Sequence, residues 1–336
     1  MNHNRWKKCC SMKFLNNLRF VFGVLALAAV STATLAHGYP NKPIRFIVPY
    51  PPGGASDVLA RALANKMSES MGQSIVVENR AGAGGNIGAD VVAKAAPDGY
   101  TLLMGNIGPN AISPALYPKL PYDPIKDFTP ISLVSSVPIV LVAHPSFPAS
   151  NMKEVIALAK SKPGQFNYAS AGNGSSNHLA MELLKSLAGV NFAHVAYKGG
   201  SPAMADLIAG HIQIAFDTLP VALPHVKAGK VKAIAFAGTK GSSVLPELPT
   251  IADSGVAGYE ASSWGGLMAP GGTPRDVVDK LNLEVNRALG QPDVRESLAK
   301  LGIEPVGTTP EQFATYIEAE IKKWKRVVSE AGIKLE

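Results

Sequence analysis

The sequence predicts an α/β protein wound as two lobes, and three observations carry that reading. Short apolar runs of strand length alternate with amphipathic runs of helix length, the pattern of a largely parallel sheet covered by helices. Of the 336 residues, roughly 300 follow an apolar leader, more than one core usually covers. Two extended stretches, one near the middle and one towards the C-terminus, read as crossings between lobes. The expected division is an interrupted first lobe, residues 37–137 plus 265–336, around an inserted second lobe, residues 138–264.

The leader comes first. Arg5, Lys7, Lys8, Lys13 and Arg19 form a basic region, residues 20–30 are a short apolar core, and Thr34-Leu35-Ala36 offers the small residues a signal peptidase reads. Residues 1–36 are therefore expected to be a cleaved signal peptide, with the mature chain starting near His37. The apolar run is shorter than the roughly 20 residues of a membrane helix, so export is expected rather than anchoring. Cys9 and Cys10 are the two cysteines and both lie in the leader, which excludes disulfides, thiol catalysis and cysteine-ligated metal from the mature chain and fits an oxidising compartment. The chain carries 32 basic and 25 acidic residues; five of the basic ones and no acid fall in the leader, leaving the rest near +2. That balance makes no case for nucleic acid.

The mature chain opens on IRFIV at 44–48, a buried strand. Pro49 to Gly54 break it, and Ser56 or Asp57 opens a helix with Leu59, Leu63 and Met67 one turn apart. A strand thus runs through a glycine turn into a helix start, where unpaired amides and the helix dipole make an anion site. Gly53 and Gly54 would let a ligand touch the backbone; equally, they could serve only the tight connection. Without the Lys-Ser/Thr of a P-loop, a carboxylate suits the turn better than a nucleotide. Strands over 74–78 and 100–104 flank a helix over 86–95. Residues 127–144 read as two strands meeting at Pro138, since proline cannot donate in a sheet ladder.

A second α/β set follows, with helices over 152–161, 176–188 and 202–209 and strands over 166–169, 194–196, 213–216 and 231–237. Leu179, Leu183 and Leu187 share one helix face. The stretch at 262–270 reads as the return strand, and Phe313, Ile317, Ile321, Trp324 and Val328 form a stripe that would pack back on the first lobe. The segment FNYASAGNGSS at 166–176 repeats the opening device, with Gly172 and Gly174 in the turn and Ser175 or Ser176 as N-cap. Two such turns facing one cleft would grip both ends of a small dianion, with the amides of Gly53, Gly54, Gly174 and Ser175 and the hydroxyls of Ser170, Ser175 and Ser176 as donors.

Several motifs then stand together: PYPPGGASD at 49–57, ENRAGAGGNIGAD at 78–90, PDGYTLL at 97–103, SAGNGSSNHLAMELL at 170–184, AYKGGSPAMADLIAGHIQIAFD at 196–217 and WGGLMAPGGTP at 264–274. As a set, covering nearly all of the mature chain, they resemble the solute receptors of the tripartite tricarboxylate transporters, the Bug family of periplasmic binding proteins. The resemblance implies a type II periplasmic-binding-protein fold with a two-strand hinge, and a carboxylate held by the loops near 50–57 and 170–176, Tyr50 and Pro51 included. It also implies membrane transporter subunits as partners, a monomeric receptor and no cofactor.

Other residues leave alternatives open. Gly82 to Gly88 resembles a dinucleotide fingerprint with one residue too many, and Gly85 reads as a border of the cleft or as a site of close helix packing. Ser175, His178 and Asp217 could be imagined as a hydrolase triad, but no G-x-S-x-G elbow occurs, and His178 reads as well as a packed group near the helix start. The seven histidines show no paired metal spacing. Asp57 and Asp217 would repel a dianion and bind an ammonium, or else cap helices. Tyr197 and Trp264 line the cleft or pack at strand ends, and Asn106 donates to ligand or forms a turn. The function expected is capture of a small carboxylate for uptake, with a ligand-sensing receptor for a signalling system, and after it a periplasmic hydrolase, as alternatives.

Overall fold

The computed structural model describes residues 38–333, so the leader and its cleavage near His37 lie outside the described residues. The chain divides into a unit ending at Asn41 and one starting at Lys42, and the architecture below is that of the second.

Strand β1 (Ile44–Val48) is buried at every position but Arg45, and it pairs in parallel with β2 (Ile75–Asn79) and β3 (Thr101–Asn106). Between them, α1 (Ala55–Met71) buries Leu59, Leu63 and Met67, the residues whose spacing announced it. Helix α2 (Asn86–Ala93) precedes β3, and a π-helical segment, Gly108–Ile112, and the short α3 (Ser113–Leu116) follow it. Strand β4 (Phe128–Val137) ends this run.

Pro138 then carries the chain into a second sheet. Its five strands are β5 (Ile139–Ala143), β6 (Asn167–Ser170), β7 (Ala193–Ala196), β8 (Ile214–Thr218) and β9 (Lys232–Phe236), in the order β7-β6-β8-β5-β9. Helices α4 (Met152–Ser161), α5 (Ser176–Ala188), α6 (Gly200–Ile208) and α7 (Leu219–Lys227) alternate with them. The chain returns through β10 (Ser263–Pro270), which lies antiparallel between β3 and β4. With β11 (Glu304–Pro305) on the far side of β4, the first sheet runs β11-β4-β10-β3-β1-β2. Val137 pairs with Ser263, so the two crossings run side by side, and the carbonyl of Pro138 accepts the Leu219 N–H at 2.8 Å. Pro138 sits where no ladder donor is needed.

After β10 come α8 (Arg275–Leu289), α9 (Pro292–Lys300) and α10 (Pro310–Glu330). Thr309 and Gln312 form a capping box at the start of α10, whose buried stripe Phe313, Ile317, Ile321, Trp324 and Val328 packs on β4 and the segment after β3. Two readings need correction. Leu187 is exposed, and the buried face of α5 is Leu179, Leu183 and Leu184. Helix α6 begins at Gly200, two residues before Pro202, because proline fits the first turn where its missing N–H costs nothing. Helix α7 was not foreseen, since Pro220 and Pro224 punctuate its sequence as a loop would be punctuated.

Candidate functional site

A cavity of ≈ 50 Å³ opens beyond the C-terminal ends of β1, β6, β7 and β8, and β4 and β10 close it where they cross between sheets. Parallel strands in α/β proteins place their ligand crevices at such ends. Three helices start on it. Ala55 and Ser56 are the first two residues of α1, Ser176 and Asn177 of α5, and Gly200 and Ser201 of α6; all six line the cavity. A helix leaves its first amides unbonded, and none of these six N–H groups has an acceptor among the described residues. Among the described residues, no lysine, arginine or histidine lines the wall. Positive potential there comes from three helix dipoles rather than from side chains.

The turns before α1 and α5 are braced in different ways. Before α1, Asp57 turns back beneath the loop: its carboxylate accepts the Gly53 N–H at 3.0 Å, the Asn79 Nδ2 at 2.9 Å and the Arg61 Nε at 3.0 Å. Burial raises the Asp57 pKa, but those three donors, Arg61 above all, outweigh it and hold the carboxyl below its ordinary value. Before α5, the bracing is neutral. Ser175 Oγ caps the His178 N–H at 3.3 Å, the His178 Nδ1 accepts the Gly174 N–H at 3.3 Å, and Gly172 N–H donates to Ser170 Oγ at 3.1 Å. Ser170 Oγ in turn lies 2.6 Å from His194 Nε2, and the rings of His178 and His194 stack at 4.4 Å. Burial pushes the His178 pKa down to about 4.

These bonds correct the donor assignment made from sequence. The amides of Gly53 and Gly174 are taken by Asp57 and His178, and that of Ser175 donates to Gly172 O at 3.0 Å. The Gly54 N–H has no acceptor among the described residues, and the other free donors sit one to three residues further on, inside the first helical turn. Ser170 spends its hydroxyl in the turn, and Asp57 lies behind the loop, off the cavity.

The glycines Gly85, Gly172 and Gly174 also stand off the cavity; Gly172 and Gly174, with Gly84, lie where the two halves touch. Gly172 has φ +115°, and a Cβ there would meet Tyr197 O at 2.9 Å and Gly84 N at 3.2 Å; a Cβ on Gly84 would fall 2.2 Å from Asn173 O. Gly85 lies against Pro109 and the Tyr50 hydroxyl. Tyr117 Oη donates to Asn173 O at 3.3 Å and Ser201 Oγ to Pro52 O at 3.5 Å, both across the cleft. The fingerprint-like segment at 82–88 is thus a contact surface for the opposite turn.

Of the remaining residues singled out from sequence, Tyr50, Pro51, Gly54, Ser56, Asn106, Ser175, Ser176, Asp217 and Trp264 line the cavity. The Asn106 amide is fully occupied, donating to Trp264 O at 2.9 Å and accepting from Gly108 N–H at 3.2 Å and Tyr50 Oη at 3.1 Å. It ties β3 to β10 rather than offering a donor. The Trp264 indole N–H donates to Glu320 Oε2 at 3.2 Å, which fixes its ring in the wall. Tyr197 points away and donates to Asp206 Oδ2 at 2.5 Å. His178 is likewise off the cavity, and its ring does not bond Ser175 Oγ, so Ser175, His178 and Asp217 form no relay. Sequence reasoning missed Ala55, Asn177, Gly200, Ser201 and Thr218, and Ser135, Val137 and Ser263 from the crossings. The rule that the first helical residues carry the free amides would have found the first four; the crossing residues gave no signal.

The family model described as "Tripartite tricarboxylate transporter family receptor" matches residues 59–333. The chain is 40% identical to protein BugT of Bordetella pertussis over 323 residues, covering 96% of this chain and 99% of BugT. It is similar to the solved periplasmic binding protein BugD, with a TM-score of 0.85, 37% identity and 89% and 100% of the two chains covered. A protein of R. palustris solved with adipate matches at TM-score 0.86 and 38% identity, covering 88% of this chain and 99% of that one.

Proposed function

The chain belongs to the tripartite tricarboxylate transporter receptor family, and on that premise we propose that it captures a small carboxylate in the periplasm and hands it to the membrane subunits of such a transporter. The observation that carries the reading is the set of six unbonded amides, drawn from three helix starts and both sheets, on one small cavity whose wall holds no cation. Hydrogen bonds to a charged group contribute about 1.5–3 kcal/mol each. Several to one guest suffice for tight capture after the ordering cost of binding is met. The adipate seen in the R. palustris relative supports a dicarboxylate as guest.

In this reading the donors are the amides of Ala55 and Ser56 on one side and of Ser176, Asn177, Gly200 and Ser201 on the other, with the hydroxyls of Ser56, Ser175 and Ser176 beside them. Tyr50, Pro51, Gly54, Asn106 and Trp264 shape the wall. Residues 42–137 with 265–333 move as one half and residues 138–264 as the other, hinged at Pro138 and at the start of β10, and ligand bridging the two holds them closed. The protein works as a monomer, reaches the periplasm by its cleaved leader and breaks no bond. A thermal-shift screen of carboxylic acids, adipate included, tests this: a guest that binds only the folded chain raises its melting temperature. A panel of di- and tricarboxylates that leaves the melting temperature unmoved at millimolar concentration sinks the proposal.

A further inference from the structure

A carboxylate receptor whose cavity wall holds a carboxyl and no cation poses a problem of charge. Asp217 is the last but one residue of β8, is 2% exposed and lines the cavity. Its two oxygens are treated unequally. Oδ1 takes every donor: Thr218 N–H at 2.7 Å, Asn177 Nδ2 at 3.3 Å and Thr218 Oγ1 at 3.4 Å. Oδ2 has no donor among the described residues. Gly200 lets the start of α6 press against the group, since a Cβ there would lie 2.6 Å from Oδ1 and 2.9 Å from Oδ2.

No charge reaches Asp217 from the elements packed on it. On α5, His178 accepts from Gly174, and Glu182 is shared between Tyr168 and Lys185. Asp206 of α6 holds Tyr197, and His225 and Lys227 sit in the last turn of α7, off the cavity. Strand β5 faces it with Val140. Across the cavity, the ionisable group is Tyr50, whose hydroxyl lies 2.9 Å from Gly84 O and 3.1 Å from Asn106 Oδ1. Burial alone pushes the Asp217 carboxyl up to about 7, against the opposing pull of Thr218 and Asn177.

We propose that Asp217 meets its ligand as a neutral acid: capture of a carboxylate draws one proton from solvent onto Oδ2, and that O–H donates to the ligand. The inference rests on the carboxylate reading above and goes beyond it in assigning the form of the site that binds and the class of acid it selects. Two like charges held together in a cavity that no cation among the described residues lines disfavour each other, and sharing a proton relieves them. The proton belongs on Oδ2, the one oxygen with no donor. An O–H to carboxylate bond is also among the shorter and stronger hydrogen bonds. An ammonium-bearing ligand would instead keep Asp217 ionised, but its N–H groups need several acceptors. The six free backbone groups around the cavity are donors, which favours acids without an amine.

Isothermal titration calorimetry of the mature chain with adipate, succinate, malate, citrate and glutamate, in buffers of different ionisation enthalpy from pH 6 to 9, tests the proposal. The expected result is uptake of about one proton per plain acid bound at pH 8–9, with affinity falling about tenfold per pH unit there. Asp217→Asn is expected to bind plain acids with no pH dependence over that range, since its amide carbonyl keeps the Thr218 N–H and its Nδ2 replaces the O–H. Binding of a plain acid without proton uptake, or an unchanged pH profile in Asp217→Asn, overturns the proposal and leaves the carboxylate reading standing. So does glutamate binding tightest with no proton exchanged. If no acid of the panel binds at any pH, the carboxylate reading itself falls and takes this inference with it.

Discussion

The turn before α1 and the turn before α5 present the same thing, a pair of bare amides at a helix start, and they are held in place by opposite means. In the first, an ionised Asp57 with a half-exposed Arg61 fixes the glycine loop from behind. In the second, a buried hydroxyl and a buried neutral imidazole do so, with a second imidazole stacked behind them. The amides of Gly53 and Gly174 are consumed in bracing, whereas those of Gly54 and of the first two helical residues have no acceptor among the described residues.

The largest effects are expected from removing those donors one side at a time. Proline is tolerated at the first position of a helix and deletes only the N–H there. Gly54 and Ser175, the preceding residues, already have ψ of 165° and 160°, values a following proline accepts. Ala55→Pro and Ser176→Pro should each leave the fold intact and weaken carboxylate binding by about 10- to 100-fold, the equivalent of one charged hydrogen bond. Ser176→Ala separates hydroxyl from amide. Calorimetric affinities with circular dichroism as the fold control decide this, and an Ala55→Pro protein that binds as tightly as wild type would show the first helix to be a bystander.

Next in size is closure. Gly84→Ala places a methyl 2.2 Å from Asn173 O, at a φ of +64° that also disfavours a side chain, so the halves should fail to meet fully and affinity should drop by about tenfold with the fold kept. Small-angle scattering with ligand should then show an incompletely closed particle. Tyr117→Phe removes a single bond across the cleft and should cost a few-fold at most.

The two bracing schemes should also separate on acidification without ligand. His178 has a folded pKa of about 4 against an ordinary 6.5, so between those values the unfolded chain binds a proton that the folded chain does not. The His178 contribution is therefore complete above pH 6.5 and falls on the way to pH 4, by on the order of 3 kcal/mol, while Asp217, whose folded value is raised to about 7, contributes in the opposite sense over the same window. Asp57, held below 3.8, contributes stability that is present above that value and is lost only at still lower pH. In urea unfolding from pH 7 to 3, the stability of His178→Gln relative to wild type should rise as the pH falls from 6.5 to 4, while that of Asp57→Asn relative to wild type should stay level there; parallel pH profiles in all three proteins would contradict the contrast.

Much of this was legible in the sequence because local signals and tertiary context agree. The span of α5 and the meeting of β4 and β5 at Pro138 follow from periodicity and from proline's missing donor. Gly172 read from sequence as part of a binding loop, while its backbone and that of Gly84 approach each other closely across the two halves, which no local pattern encodes. Asp217 could be placed at a strand end from sequence, yet its unequal oxygens depend on Asn177 and Gly200 arriving from two other helices.

The central claim is that one acid is held at the same time by helix starts from both sheets. Amide proton NMR during a titration with adipate reads it directly, at Ala55 and Ser56 on one side and Ser176 and Asn177 on the other. All four resonances should move downfield along one saturation curve. Movement confined to a single helix would contradict the claim.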